Sequence, residues 1–260
     1  MTSPADTGNS ALKANPEITL CGRLSVSWDG KQLEGDLPGR QGRMLFAYLV
    51  LNRKHPVRRD QLVEALWADE GLPSGGDGLL SPPLSRLRKA LGPGRLNGRS
   101  ELSLELGDRV WIDWESAQEA LGEAQTLLAE GDARGAWEKG LQAEATFGGG
   151  LLPGLEASWI DELRVLLEEY RLKSLEAIAR AGARLGPAEF PRAERAARDA
   201  VEASPFRESA RAAQIEVMRA QGNIAEALRT FDDLRVLLRE DLGTFPSAEL
   251  NELHDQLLNA

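Results

Sequence analysis

The chain has 260 residues, a formal net charge of −10 and a single cysteine, which excludes an intramolecular disulfide and a cysteine-rich zinc site. With only two histidines, the chain has few nitrogen ligands for a metal site of another kind. The longest apolar run, residues 44–51, is far shorter than the roughly 20 residues that a membrane span needs. The first ten residues contain neither a basic nor an apolar segment, which predicts no secretion signal and a cytoplasmic location. We therefore expect no metal, no cofactor and no membrane partner.

The charge is divided unevenly along the chain. Residues 1–112 carry 15 basic and 13 acidic side chains, whereas residues 113–260 carry 16 basic and 28 acidic ones. Residues 36–99 alone carry 11 basic and 6 acidic side chains, a net charge of +5. Such asymmetry is typical of parts with separate partners, although a solvated charged face is the ordinary explanation. The overall acidity argues against nucleic-acid binding by the chain as a whole, but not by this basic segment.

A small α+β arrangement is predicted for residues 17–112, after a disordered tail over residues 1–16. Apolar side chains alternate along its first segment, as expected for half-buried strands. They are Ile18, Leu20, Leu24, Val26 and Trp28. Asp29-Gly30 is a favourable hairpin turn between two of these strands. Two amphipathic helices follow, RQGRMLFAYLVLN and RRDQLVEALWAD, and the first is expected to end near Asn52, ahead of Pro56.

A third, short helix is predicted over PPLSRLRKALG, followed by a loop and a β-hairpin up to residue 112. Its core stripe consists of Leu84, Leu87 and Leu91. Because proline in the first turn removes no intrahelical hydrogen bond, we expect the helix to begin at Pro82 or Pro83. Ser81 then lies just outside it or forms the N-cap, and residues 74–80 form a loop or a separate turn. Both prolines are expected on the exposed face of this helix, where their side chains are apolar and donate no hydrogen bond. Strands, three helices and a terminal hairpin are typical of a winged helix.

Residues 113–260 are rich in Ala, Leu and Glu and have helical periodicity throughout. Apolar positions recur 34 residues apart, which is the period of tetratricopeptide repeats. Ala193, Ala197 and Ala200 correspond to Ala227, Phe231 and Leu234. This spacing fits the second helix of such a repeat, with a plain helical bundle as the alternative. Stacked helix pairs leave a concave surface that usually serves a partner rather than chemistry.

The two parts together resemble one family. The stretch from Leu37 to Leu91, with its LVEALW and SRLRKALG motifs, is similar to the OmpR-type winged helix of the SARP group of bacterial activators. The C-terminal part, with its LGTFPSAEL motif, resembles the bacterial transcriptional activator domain, BTAD, that follows such winged helices. The resemblance covers about residues 18–258. It implies a mainly α fold with a small α+β part: an N-terminal winged helix over residues 17–112 and a tetratricopeptide-like helical domain over residues 113–260.

The resemblance also implies a function. A SARP-type chain is a sequence-specific transcriptional regulator, here an activator, that binds double-stranded promoter DNA through its winged helix. Its helical domain would form a homodimer and contact RNA polymerase. The alternative is a protein-interaction or signal-sensing module whose winged helix has lost tight DNA binding, as the two prolines and the acidic second half suggest. An enzyme is not expected, because neither His55 nor His254 belongs to a nucleophile or metal motif.

Candidate DNA contacts follow from residue type and position. An arginine on a helix in the major groove can donate two hydrogen bonds to guanine. For the third helix the candidates are Ser85, Arg86 and Arg88 for bases and Lys89 for phosphate. Phosphate also favours the backbone N–H groups at helix starts, where arginines add positive charge. The candidates there are Arg40, Arg43, Arg58 and Arg59. The expected wing residues are Arg95, Asn97 and Arg99.

Overall fold

A computed structural model describes residues 15–259, except residues 29, 38, 69–70, 72–75 and 108. Contacts divide the chain into two compact units, residues 1–114 with 151–163, and residues 115–150 with 164–260. Most of the predicted tail and Asp29 of the predicted turn lie outside the described residues. The division joins residues 151–163, which we call the return segment, to the N-terminal unit, whereas the sequence analysis assigned them to the helical domain.

The N-terminal unit contains two small sheets. Its described strands are β1 (Glu17–Thr19), β2 (Ser25–Trp28), β3 (Lys31–Gln32), β4 (Val57–Arg58), β5 (Leu96–Asn97), β6 (Glu101–Leu104) and β7 (Trp111–Ile112). The first sheet has the order β3-β2-β1-β7, and the second has the order β4-β6-β5. Ile18 of β1 pairs with Val26 of β2, and both side chains are fully buried. The alternation of apolar residues in the sequence therefore predicted the buried face of these strands correctly.

Three helices pack against these sheets: α1 (Gly39–Leu51), α2 (Arg59–Trp67) and α3 (Ser81–Leu91). α1 is buried over most of its surface and ends one residue before Asn52, as predicted. Leu84, Leu87 and Leu91 of α3 are buried. The antiparallel hairpin of β5 and β6 follows α3 and forms the wing, so the N-terminal unit is a winged helix.

The start of α3 differs from the prediction by one residue. Ser81 is its first helical residue and not its N-cap, because the 3-10 turn Gly76–Leu80 leads directly into the helix. That turn is the separate element predicted ahead of the helix. Pro82 is exposed, but Pro83 is buried, so the expectation of two exposed prolines is wrong. Pro83 lies four residues before Leu87 and therefore faces the core with it.

The return segment packs on the winged helix through backbone and side-chain contacts. The backbone N–H of Leu152 donates to the carbonyl of Leu20, 2.9 Å away. Trp159 Nε1 donates to the carbonyl of Ala65 in α2 over 3.0 Å. The Trp159 ring also meets Tyr48 of α1 edge to face, with 5.2 Å between the ring centroids. These contacts explain why the return segment belongs to the N-terminal unit.

The buried carboxylate of Asp113 binds the backbone that follows β1. Asp113 accepts hydrogen bonds from the backbone N–H groups of Leu20 and Cys21, each over 2.8 Å. Burial and, to a smaller extent, the nearby charge of Asp113 together raise the pKa of the Cys21 thiol to about 12. Cys21 is therefore a protonated core residue and not a reactive thiolate.

The remaining described helices are α4 (Asp113–Glu130), α5 (Ala133–Phe147), α6 (Ser158–Leu185), α7 (Phe190–Ala203), α8 (Glu208–Ala220), α9 (Ile224–Leu242) and α10 (Ala248–Leu258). No described helix is long and apolar enough to cross a bilayer. The alanines of α7 at the predicted repeat positions are buried in a core cluster with α5, α6 and α8. The corresponding residues of α9, 34 positions later, are buried in a second cluster with α8 and α10. The sequence period thus predicted the tetratricopeptide-like stacking of these helices.

Close approach and an ion network stabilise this second unit. A Cβ at Gly182 of α6 would lie 2.6 Å from Trp137 of α5 and from Ala193 of α7, so only glycine fits between the three helices. Arg207 donates to Glu176 over 2.5 Å and to Glu169 over 2.6 Å, which connects α6 with the start of α8. The hydrogen bond from Arg207 lowers the pKa of the Glu169 carboxyl below its usual value.

Candidate nucleic-acid interface

The exposed side of α3 forms one stripe of side chains along the helix. Pro82, Ser85, Arg86 and Lys89 are exposed, and the leucines of the opposite side enter the core. The helix has 11 residues and is about 16 Å long, a size that a major groove accommodates. Among the described residues, neither Arg86 nor Lys89 has a hydrogen-bond or ion-pair partner. Two unpaired cations on an exposed helix are suited to an anionic partner.

Arg88 has a different environment from its neighbours on α3. It is half-buried, and its Nη2 donates to the carbonyl of Gly98 over 2.7 Å. Its Nε donates to the carbonyl of Leu96 over 3.3 Å. The guanidinium group therefore joins α3 to the backbone of the wing. Arg88 is thereby less available for base readout, the role predicted for it from the sequence.

The wing has a tight tip and two arginines in different environments. Gly98 has a φ of +91°, and a Cβ there would lie 1.8 Å from the carbonyl oxygen of Glu101, so the tip requires glycine. Arg95 lies over the ring of Trp28, with 4.2 Å from Cζ to the ring centroid, a cation–π contact that fixes the base of the wing. Asn97 is exposed and donates to the carbonyl of Gly94 over 3.0 Å. Arg99 is exposed at the tip and has no partner in the described part of the chain.

The arginines at the two helix starts make contacts within the protein. Arg40 Nη2 donates to the carbonyl of Glu156 in the return segment over 2.8 Å. Arg43 Nε donates to the carbonyl of Gly39 over 3.3 Å. Arg58 forms an exposed two-pronged contact with Asp60, which partly neutralises its charge. Asp60 offsets the charge of Arg58, whereas the hydrogen bonds of Arg40 and Arg43 go to neutral carbonyl groups and leave both guanidinium charges in place.

Two depressions lie on the surface of the winged helix, between the elements that carry the candidate residues. A cavity of about 580 Å³ is lined by residues 35–37 and by Gly39 on one side and by Arg86, Lys89 and Ala90 of α3 on the other. A second depression of about 270 Å³ joins the start of α2 to the wing tip and is lined by Arg58, Arg59, Asp60, Ser100 and Glu101. The exposed side of α3 and the wing tip are therefore the candidate DNA contacts of the winged helix. Arg40, Arg88 and Arg95 instead make contacts within the protein.

Sequence reasoning missed the partners of these arginines. Trp28 lies 67 residues before Arg95 in the chain, and no local pattern indicates their contact. Likewise, nothing in the sequence signals that Glu156 of the return segment accepts a hydrogen bond from Arg40. The pairing of Arg58 with Asp60 did have a signal, because the two residues are two positions apart at the start of α2, where an acidic side chain is favourable.

The geometry offers no sign of catalysis. The described residues include no group of three side chains that could hold a metal ion.

The chain is similar to known bacterial regulatory proteins. The family model described as the bacterial transcriptional activator domain matches residues 112–258. Regulatory protein AfsR of Streptomyces griseus is 30% identical over 234 residues, which cover 90% of this chain and 24% of that protein. Transcriptional regulatory protein EmbR of Mycobacterium tuberculosis is 33% identical over 96 residues, 37% of this chain and 24% of that protein. The chain spans about a quarter of the length of these curated relatives.

A solved structure shares the fold. Mycobacterium tuberculosis EmbR in complex with a low-affinity phosphopeptide superposes with a TM-score of 0.80 at 23% sequence identity. The match covers 94% of this chain and 65% of that one. This likeness confirms the predicted fold, a winged helix followed by a tetratricopeptide-like helical domain.

Proposed function

Because the chain belongs to the family of the bacterial transcriptional activator domain, we propose that it regulates transcription by binding double-stranded promoter DNA through its winged helix. The family is one of transcriptional regulators rather than enzymes, as the sequence analysis predicted. The observation that carries the proposal is the exposed stripe of α3, where Arg86 and Lys89 lack partners in the described structure. The wing beside it presents Arg99 at its tip.

The assignment of roles follows from which side chains are available. Arg86 and Ser85 are the base-reading candidates, because they lie on the exposed side of α3 and no wing contact engages them. Lys89 and Arg99 are the phosphate candidates on α3 and the wing, and Arg43 and Arg59, which also have contacts within the protein, are the candidates at the helix starts. Arg88 is proposed to act on DNA through the wing that it fixes. Pro82 has no hydrogen-bond donor, so fewer residues of α3 can form hydrogen bonds to bases.

We further infer that the helical unit serves association with protein partners. By the family resemblance these are a second copy of the chain and RNA polymerase. Its exposed apolar side chains support a protein contact, since Leu242, Phe245 and Leu258 are 57%, 73% and 62% exposed. The excess of acidic residues in residues 113–260 disfavours DNA as the ligand of this part. DNA binding is therefore assigned to the winged helix alone, and activation of transcription to the partners of the helical unit.

A charge-reversal experiment tests the proposed interface. The double variant Arg86→Glu, Lys89→Glu should abolish the mobility shift of DNA from the upstream region of the protein's own gene. It removes one base contact and one phosphate contact, and it places two negative charges against the polyanion. The unfolding midpoint should change little, since both side chains are exposed.

The matched control reverses two exposed arginines of α9, Arg229→Glu and Arg235→Glu, and changes the net charge by the same amount. This control should keep the mobility shift. An unchanged shift of the α3 variant would exclude α3 as the DNA contact. A chain that binds no DNA in any form would instead favour the protein-interaction alternative.

A further inference from the structure

A cavity of about 380 Å³ lies between α5, α6 and α7 of the helical unit. Its floor is apolar and consists of Leu175 and Ile178 of α6 and Ala196 of α7. The volume is within the range of pockets that bind small organic molecules. No described residue of the winged helix lines this cavity, which is therefore separate from the proposed DNA contact.

The rim of the cavity carries charges of both signs. Arg192 and Arg195 of α7 are exposed and lie one helical turn apart, on the same side of the helix. Glu144 of α5 and Asp199 of α7 line the same cavity. None of these four side chains has a hydrogen-bond or ion-pair partner among the residues that the structure describes. The rim therefore offers two unpaired cations and two unpaired anions.

An ion pair between charged side chains four residues apart does form elsewhere on α7. Arg198 and Glu194 also lie on α7, four residues apart, and form an ion pair of 2.7 Å. Arg195 and Asp199 have the same spacing but remain unpaired above the cavity. The charges of Arg195 and Asp199 are therefore available to a molecule bound in the cavity.

Close helix packing makes the cavity wall firm. A Cβ at Gly140 of α5 would lie 3.0 Å from the side chain of Ile178, so α5 approaches α6 closely beside the floor. A Cβ at Gly182 would be closer still to Trp137 and Ala193. The glycines at both helix crossings allow the three helices to pack closely around the cavity. A cavity with such fixed walls is preorganised for a ligand.

We propose that this cavity binds a small zwitterion with an apolar body, of the free amino acid class. A carboxylate accepts hydrogen bonds from Arg192 and Arg195, whose guanidinium groups suit planar anions. An ammonium group donates to Glu144 and Asp199, and the apolar body covers the floor. A ligand with a single charge satisfies only half of the rim and leaves the like charges facing it. The helical unit thereby gains a small-molecule input in addition to its protein partners.

The test uses the full chain and three matched probes. The twenty common L-amino acids are first screened at 10 mM by thermal shift, and the strongest is compared by calorimetry with its amine and carboxylic acid analogues. For L-phenylalanine these are 2-phenylethylamine and 3-phenylpropanoate. The zwitterion should bind at least about tenfold more tightly than either analogue, because each analogue lacks one charged contact.

The double variant Arg192→Gln, Arg195→Gln should abolish the preference for the zwitterion over the amine. Arg198→Gln, on the same helix but outside the cavity, should keep that preference. No saturable binding by any amino acid, equal affinity for all three probes, or unchanged binding by the double variant would each overturn the proposal. None of these readouts depends on DNA, so a failure here leaves the proposed function untouched.

Discussion

Replacing Arg88 with glutamine should weaken DNA binding about tenfold to a hundredfold, although Arg88 is not proposed to touch a base. Its guanidinium donates to the carbonyls of Leu96 and Gly98, and loss of charged hydrogen bonds costs about 1.5–3 kcal/mol. Without them the wing is no longer fixed to α3, and the two contact surfaces must be ordered when DNA binds. The measurement is a binding titration on specific and unrelated DNA, with hydroxyl-radical footprinting of the complex.

Arg86→Gln is the matched comparison, since it removes the same chemical group from the same helix. It should reduce the preference for specific over unrelated DNA, because Arg86 is exposed and proposed to read a base. Arg88→Gln should lower both affinities alike and remove the protection contributed by the wing. If Arg88→Gln changes base preference while the wing footprint stays intact, the role assigned to Arg88 is wrong.

Truncating Trp159 to alanine should destabilise the winged helix by about 2–3 kcal/mol, even though this residue lies 47 positions beyond the end of the predicted domain. The value is below that for a fully buried tryptophan because Trp159 is only half-buried. The variant loses the hydrogen bond to Ala65 and the edge-to-face contact with Tyr48. Denaturant unfolding, followed by hydrogen exchange of α1 and α2, measures the loss and locates it.

Trp159→Phe provides the control. It keeps an aromatic ring against Tyr48 but lacks the N–H donor, so we expect a loss of only about 1 kcal/mol. If Trp159→Ala leaves the protection of α1 and α2 unchanged, the return segment does not stabilise the winged helix.

Much of the fold follows from periodicity in the sequence. The alternation from Ile18 to Trp28 predicted the buried face of β1 and β2, because one face of a strand must face the core. The 34-residue spacing from Ala193 to Ala227 predicted two equivalent helices, and both positions are fully buried. Leucines three and four residues apart predicted which side of α3 is exposed, and with it Arg86 and Lys89.

The rest depends on contacts between distant parts of the chain. Arg40 and Glu156 are 116 residues apart, and a charge count cannot tell that the guanidinium of Arg40 donates to a backbone carbonyl. Arg88 has the same residue type as Arg86 and lies two positions later, yet the helical turn directs it toward the wing. The net charge of −10 likewise averages a basic winged helix with an acidic helical domain. The sequence predicted a candidate interface, and the structure separates its exposed side chains, such as Arg86, from those with contacts inside the protein, such as Arg88.

The salt dependence of binding tests the central claim most directly, namely that the winged helix of this acidic chain binds DNA. The affinity of the full chain for DNA from its own upstream region is measured between 50 and 200 mM salt. Contacts to about four phosphates predict a slope of log affinity against log salt of about −3.6, a loss of roughly a hundredfold over this range. The α3 charge-reversal variant should show no measurable binding at any of these salt concentrations. An affinity of the unaltered chain that stays within about twofold across the range, or no binding at 50 mM, would contradict the account.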